Sequence, residues 1–401
     1  MDIVVARTLG LLLVAIFVAI VARRIHLPYT VGLVVTGIAL ALMRVASGDL
    51  LTRDLIFNII LPPLLFEASI CIHWKELRRD APPVLTLATA GVVISAIVVT
   101  VGATSALGWP VPSALIFGVL IAATDPVAVI AMFKDTGVKG RLRLLVESES
   151  LLNDGVAAVF FAVALAWAQA ANGESTTLPQ MVLALAVTAG GGILVGLVCG
   201  AIAIAVAGRT SDHLVETALT VVVAYGAFLL AEHFHMSGVL ATVAAGLLVG
   251  NLGVLSEKEN TPHVFDGREF VIGFWDFAAF IANSLIFILI GLTVAGISFV
   301  SLGPAALLVI VVLVLIGRAL TVYPVCFLFA RSQWKIPLAA QHILWWGGLR
   351  GALALALALA LPSSLAMRNE IVVATFGVVA FSVLVQGLTM SPLMRKLGLL
   401  Q

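Results

Sequence analysis

The amino-acid sequence predicts an all-α polytopic membrane protein with about thirteen transmembrane helices. Of its 401 residues, 62% are hydrophobic and 11% charged, with a mean hydropathy of +1.17, far from the balance of a water-soluble domain. Apolar stretches of about twenty residues, the length that crosses a bilayer, recur from residue 3 to residue 398 with short polar breaks between them. Basic residues gather in alternate breaks, as they do when every second loop faces the cytoplasm. No soluble domain, nucleotide-binding module or phosphate loop fits between the stretches, and no nucleophile–base pair points to an enzyme.

With Pro, Gly and charged clusters as punctuation, the elements follow in order. The first span, 3–21, starts directly after Met1-Asp2 and stops at Arg23-Arg24 without a small-residue cleavage site, so it reads as a retained helix and not a signal peptide. Spans at 28–46, 51–71 and 83–106 follow, the third containing LPPLLFE. The fifth, 112–132, is interrupted at Ala123-Thr124-Asp125-Pro126, and the sixth, 143–170, begins with a run of charge, ESESLLND. The seventh, 179–207, spaces Gly192, Gly196 and Gly200 four apart, the pattern of close helix packing. Spans at 213–233, 237–254, 270–298 and 303–330 come next, then 337–361, interrupted at Gly347-Gly348-Leu349-Arg350-Gly351, and finally 370–393. Five residues follow Lys396, which leads to the expectation that regulation acts through the membrane part. Cys71, Cys199 and Cys326 sit in apolar stretches without metal-ligand spacing and read as packing residues.

The loops after odd-numbered spans carry sixteen Lys or Arg, among them Lys75, Arg78, Arg79, Lys134, Lys139, Arg141, Arg143 and Lys258, against four (Arg7, Arg44, Arg53 and Arg368) on the other side. This places the N-terminus outside and the C-terminus in the cytoplasm. Arg318 and Arg350 alone fall within spans. An odd count has a further consequence. If residues 178–208 link two six-span units, 1–171 and 212–401, the units are inverted, an arrangement common in secondary transporters. The fifth span of each unit is the interrupted one. Proline removes a backbone donor and biases Asp125 away from helix, and glycine loosens the other break, so both should free polar backbone groups at mid-membrane.

An ionisable residue at the bilayer centre costs roughly 2.5–3.5 kcal/mol or more, so each is a functional suspect. Here they cluster: Glu67 in the third span, Asp125 at the fifth span's break, and Glu149, Ser150, Asn153 and Asp154 in the sixth. On a helix Glu149 stacks with Asn153, and Ser150 with Asp154, so one face should present several oxygens. Such ligands suit a hard monovalent cation, whereas thiolates and imidazoles for a transition metal are missing. Two carboxylates close together in low dielectric also hold a proton more tightly than in water, which lets it compete for the same oxygens. Structural readings stand alongside: Asp125 could simply cap the second half-helix, and Glu147, Glu216 and Glu232 could snorkel to the interface. Arg318, preceded by an apolar run, calls for a buried partner, and Glu149 is the preferred one. Arg350 would balance half-helix ends or Asp125. His73, His233, His235 and His342 lie at span edges, where solvation is the default reading.

LPPLLFEASI, ATDPVAV, ESLLNDGVAAV, the GRAL around Arg318 and GGLRGALALALAL resemble, in this order, the motifs of monovalent cation:proton antiporters, closest to the electroneutral branch of NhaP proteins and animal sodium/proton exchangers. The resemblance covers nearly the whole chain. It implies an NhaA-like fold with broken crossing helices, in which a core domain moves against a dimerisation domain. It implies that Asp154 binds either cation (Na+) or proton, that Ser150, Thr124 and Glu67 complete the cation shell, and that Asp125 contributes at one remove. Asn153 would organise the crossing, tied to Thr124 and to a Glu149–Arg318 pair. Electrogenic relatives carry Asp where Asn153 stands and an intramembrane lysine, whereas all six lysines here fall in predicted loops. Electroneutral 1:1 exchange at the plasma membrane follows. The expected partners are membrane lipid, a second copy of the chain and the transported ions, with no nucleic acid and no cofactor. K+/H+ exchange, a passive channel and a proton-coupled organic-anion carrier using Arg318 or Arg350 are the rival readings. The Gly192–Gly196–Gly200 stripe would pack inside the dimerisation domain or between subunits.

Overall fold

A computed structural model describes residues 2–24, 27–44, 51–136, 138–170, 178–210, 212–254, 267–299 and 302–399. Lys258 and the loop 171–177 lie outside the described residues, as do the side chains of Arg7, Arg23 and Lys134. All regular structure among the described residues is helical. In chain order the helices are α1 (Asp2–Arg24), α2 (Tyr29–Leu42), α3 (Leu61–Ile70), α4 (Trp74–Ala88), α5 (Ala90–Leu107), α6 (Val111–Leu120), α7 (Val127–Thr136), α8 (Arg141–Ala170), α9 (Leu178–Ala207), α10 (His213–His233), α11 (Gly238–Val249), α12 (Arg268–Gly296), α13 (Pro304–Leu328), α14 (Leu338–Trp346), α15 (Ala352–Leu359), α16 (Arg368–Phe381) and α17 (Gly387–Lys396). Wider π-helical turns at Leu55–Ile60, Gly250–Val254 and Ser382–Gln386 lead into α3, extend α11 and join α16 to α17. Seven helical stretches among the described residues are long and apolar enough to cross a membrane; the others are shorter or divided.

Local chemistry sets many of the boundaries. Asp212 caps α10 by accepting the Leu214 amide at 2.8 Å, and Ser237 caps α11 through the Leu240 amide at 3.2 Å. Gly108 ends α5 in the left-handed region at φ 69, where a side chain would be strained. Glu216 is not a snorkelling residue: it is buried and accepts the Gly267 amide at 2.9 Å, just before α12. Glu232 likewise accepts the Gly238 amide at the start of α11. The fourth element begins earlier than expected, because the helix runs back to Trp74 and takes in Lys75, Arg78 and Arg79. It is amphipathic there, burying Leu77, Val84 and Leu87 while its basic side chains stay exposed.

The helices sort into two bundles. In one, α2 packs on α12 and α1, while α11 packs on α9, α10 and α3. In the other, α5 packs on α13 and α6, α8 packs on α4 and α6, and α15 packs on α16. Small residues allow the closest approaches. Gly37 of α2 lies against Gly291 of α12, and Gly246 of α11 lies against Ser69 of α3, so a Cβ on either glycine would strike its neighbour. The glycines of α9 serve the first bundle: a Cβ on Gly192 would meet Ser237 O at 2.5 Å, and one on Gly196 would meet Ala241 O. That face is therefore covered by α11 of the same chain, which removes the intersubunit version of the stripe. The outer face of α9, with Leu183, Leu194 and Ile202, stays exposed.

Candidate functional site

Both predicted interruptions are unwound, at residues 121–126 between α6 and α7 and at 347–351 between α14 and α15. They meet directly: Asp125 donates its amide to Leu349 O at 2.8 Å. The Asp125 carboxylate accepts the Val127 amide at 3.0 Å and the Ala352 amide, so one side chain caps the first turn of both α7 and α15. Gly351 makes this contact possible, because a Cβ there would overlap the Asp125 side chain. Opposite these two positive helix ends lies a negative one. Arg350, 1% exposed, donates from Nη1 to Ala122 O at 2.7 Å and Ala123 O at 3.0 Å, which satisfies carbonyls freed at the end of α6. Of the two expectations for Arg350, the half-helix end is where it lies. Gln386, in the last π-helical turn, serves the other break by donating to Trp346 O at 3.0 Å.

α8 supplies the charged groups. Glu149 is 1% exposed and bound bidentately by Arg318, whose Nη1 donates to Oε1 at 2.7 Å and Nη2 to Oε2 at 2.8 Å. Arg318 also donates from Nε at 3.2 Å and from Nη2 at 3.0 Å to Leu344 O, so the pair holds α14 as well. A buried pair with its donors matched in this way avoids the uncompensated charge that makes lone ions so costly. Asn153 donates from Nδ2 to Glu149 Oε1 and to Thr124 Oγ1, both at 3.3 Å, and Thr124 Oγ1 lies 3.0 Å from Ser150 Oγ. Glu147, nearer the start of α8, pairs with Arg143 at 2.8 Å.

The expected single face of oxygens is in fact divided. At 100° per residue, Glu149 and Asp154 point about 140° apart. Glu149 and Asn153 turn into the second bundle, while Asp154 turns to a cavity of about 420 Å³ between the two bundles. Thr124, Asp125, Asp154 and Gly351 line that cavity from one side, and Glu67 lines it from α3 on the other. Ser150 lies one layer behind, against Thr124. Asp154 Oδ1 is buried and has no hydrogen-bond partner among the described residues. The arrangement can therefore offer a carboxylate oxygen, a threonine hydroxyl and unwound backbone to a small cation, or accept a proton on the same carboxylate. Sequence reasoning missed Asp276 and Asn283 of α12, which also line the cavity. Their signal was two polar residues seven apart on one face of α12, in a stretch from Phe270 to Asn283 that is otherwise apolar.

Comparison with known proteins gives a consistent picture. The family described as "Sodium/hydrogen exchanger, transmembrane" matches residues 11–396. The chain is 40% identical over 380 residues to the Na+/H+ antiporter ApNhaP of Aphanothece halophytica, covering 94% of this chain and 70% of that protein. It is 33% identical over 414 residues to the Na+/H+ antiporter NhaH of Halobacillus dabanensis, covering 97% of each. Its fold is similar to that of the sodium proton antiporter MjNhaP1 of Methanocaldococcus jannaschii, with a TM-score of 0.80, 20% identity and 99% of both chains covered.

Proposed function

The chain belongs to the transmembrane sodium/hydrogen exchanger family, and from that premise we propose that it exchanges Na+ for H+ across the membrane by alternating access, with cation and proton competing for Asp154. The relatives are secondary transporters and not enzymes. The observation that carries the reading is the Asp154 carboxylate, which faces a cavity walled by both bundles and has a buried oxygen without a hydrogen-bond partner among the described residues. A buried oxygen of this kind must take a cation or a proton to offset its desolvation.

The cation shell comprises Asp154, Thr124 and Glu67, with Ser150 holding the Thr124 hydroxyl in place and Asp125 holding the crossing. Asn153 and the Glu149–Arg318 pair keep the second bundle in register, and of the carboxylates at the cavity Asp154 is the one that trades its proton for the cation in each cycle, which gives a 1:1 electroneutral exchange. Alternating access is motion of the second bundle, as core, against the first, as the dimerisation domain of a homodimer. Thirteen crossings in an NhaA-like fold, with two inverted units 1–171 and 212–401 joined by α9, fit the packing pattern: α2 against α12 mirrors α11 against α3, and break meets break. The distribution of basic residues puts the N-terminus outside. It also puts the start of α8, where Arg143 and Glu147 line the cavity and are partly exposed, on the cytoplasmic side.

Li+ and K+ remain alternatives for the same oxygens. The organic-anion reading loses its support, because neither Arg318 nor Arg350 lines the cavity, and the terminal nitrogens of Arg318 and Nη1 of Arg350 donate to protein acceptors. The test is ion flux by purified protein in liposomes, scanning Na+, Li+ and K+ with and without an imposed membrane potential. Proton-coupled Na+ flux with a rate indifferent to the potential is expected. A rate that follows the potential rejects 1:1 exchange, and flux without a counter-ion makes the protein a channel.

A further inference from the structure

The cavity has two walls, and the residues of the cation shell other than Glu67 lie on one of them. On the opposite wall α12 contributes Asp276, Ala279, Phe280 and Asn283, a stripe at i, i+3, i+4 and i+7 that is a single helix face. The two polar ends of the stripe differ in setting. Asp276 is exposed, whereas the Asn283 side chain reaches inward and its Oδ1 is buried without a hydrogen-bond partner among the described residues. The adjacent Ser284 is not in this position, since its hydroxyl bonds Phe280 O at 2.6 Å and Tyr29 Oη at 2.6 Å.

The spacing on α12 repeats that on α8. Glu147 and Asp154 are seven residues apart, as are Asp276 and Asn283, and all four line one cavity. Both helices start on the side that the basic residues mark as cytoplasmic, so each runs from a partly exposed or exposed carboxylate near that side to an oxygen about 10 Å farther along the helix. A buried amide oxygen with no partner is costly. Placed across the cavity from a carboxylate with the same deficit, it has a chemical use.

We propose that Asn283 is a cation-contacting residue of the first bundle, whose amide oxygen meets the monovalent cation across the cavity from Asp154 while the site is open. The inference rests on the antiport reading and adds a ligand from the bundle that does not carry Asp154. A neutral ligand there has a particular consequence. The oxygen helps to strip water from the cation yet holds no proton, so it raises cation affinity without changing the number of protons exchanged. It also belongs to the first bundle, so the contact is made in one orientation of the carrier and given up when the second bundle moves.

The experiment pairs 22Na+ uptake into proteoliposomes with Na+-dependent thermal stabilisation of the detergent-purified protein, for wild type, Asn283→Ala and Asn283→Asp. For Asn283→Ala the apparent KM for Na+ rises about tenfold, the scale of one lost hydrogen-bond-strength contact to a charged group. The maximal rate and the proton stoichiometry stay at wild-type values, and stabilisation needs correspondingly more Na+. Asn283→Asp, which keeps an oxygen at the position, recovers the affinity at alkaline pH. A folded Asn283→Ala protein with a KM within about twofold of wild type overturns the proposal, as does a fall in maximal rate at unchanged KM, the mark of a structural role. If Asn283→Ala does not fold, Asn283→Ser decides by the same criteria. Wild-type protein that is stabilised by Na+ but moves none rejects antiport and leaves the stabilisation series to judge Asn283. Wild type that does neither overturns both.

Discussion

Both carboxylate oxygens of Glu149 are taken by the two terminal nitrogens of Arg318, at 2.7 and 2.8 Å, across 169 residues of chain. The pair joins α8 to α13, and through Leu344 O it reaches α14, so three helices of the second bundle share one buried fork. Removing one partner leaves an uncompensated charge. Arg318→Ala or Glu149→Ala is expected to cost about 3–5 kcal/mol and to be read as loss of monodisperse, heat-resistant protein in detergent. Arg318→Lys keeps the charge but loses the fork, so it should fold less stably than wild type. A lysine variant with wild-type melting but weakened binding of an organic anion would instead assign Arg318 to a substrate carboxylate.

Asp154 stands apart from this pair, with an oxygen facing the cavity. Asp154→Asn should fold normally, because its buried Oδ1 has no hydrogen-bond partner to lose among the described residues, yet exchange neither Na+ nor H+. Robust Na+-driven proton movement by that variant in liposomes removes Asp154 from the mechanism.

Competition at one carboxylate also sets a sign for the pH dependence. Protons occupy the site as pH falls, so the apparent KM for Na+ should rise from about pH 8 to about pH 6, approaching tenfold per pH unit once the protonated form dominates. Equal apparent affinities at the two pH values, measured by initial rates, contradict a shared site.

Gly351 lies so near Asp125 that any Cβ would overlap its carboxyl group. Gly351→Ala should therefore push the two unwound segments apart, abolishing transport and costing about 1–3 kcal/mol of stability. A variant with intact exchange would mean that the crossing tolerates separation. Gly196→Leu should likewise lower the melting temperature of the protomer, because α9 would be forced off α11 at Ala241. An unchanged melt with altered oligomeric state would return that face to the subunit interface.

What could be read before the fold was known varied with the physics involved. The two interruptions were legible because Pro126 and the glycines around Arg350 act on the backbone locally. Arg318 was legible as a paired residue because a lipid-facing arginine has no stable setting in an apolar helix. The start of α4 was misplaced, since a charged cluster reads as a loop unless its apolar face is known to be covered. Asn283 was overlooked because an uncharged polar residue in a membrane helix is cheap enough to be inconspicuous, until a cavity opens beside it.

By itself the sequence determined the helical class, the recurrence and breaks of its segments, the clustering of carboxylates on one helix, and the family to which those motifs belong. These depend on hydropathy, on proline and glycine chemistry and on order along the chain, all of which are local. Only the tertiary structure decided which way α8 is turned, and so which carboxylate is neutralised and which faces the cavity. It also decided which helix covers the glycines of α9 and which residues of α3 and α12 form the far wall. Such choices depend on how helices distant in sequence rotate to bury one face against another, and no spacing within a single helix specifies its neighbour.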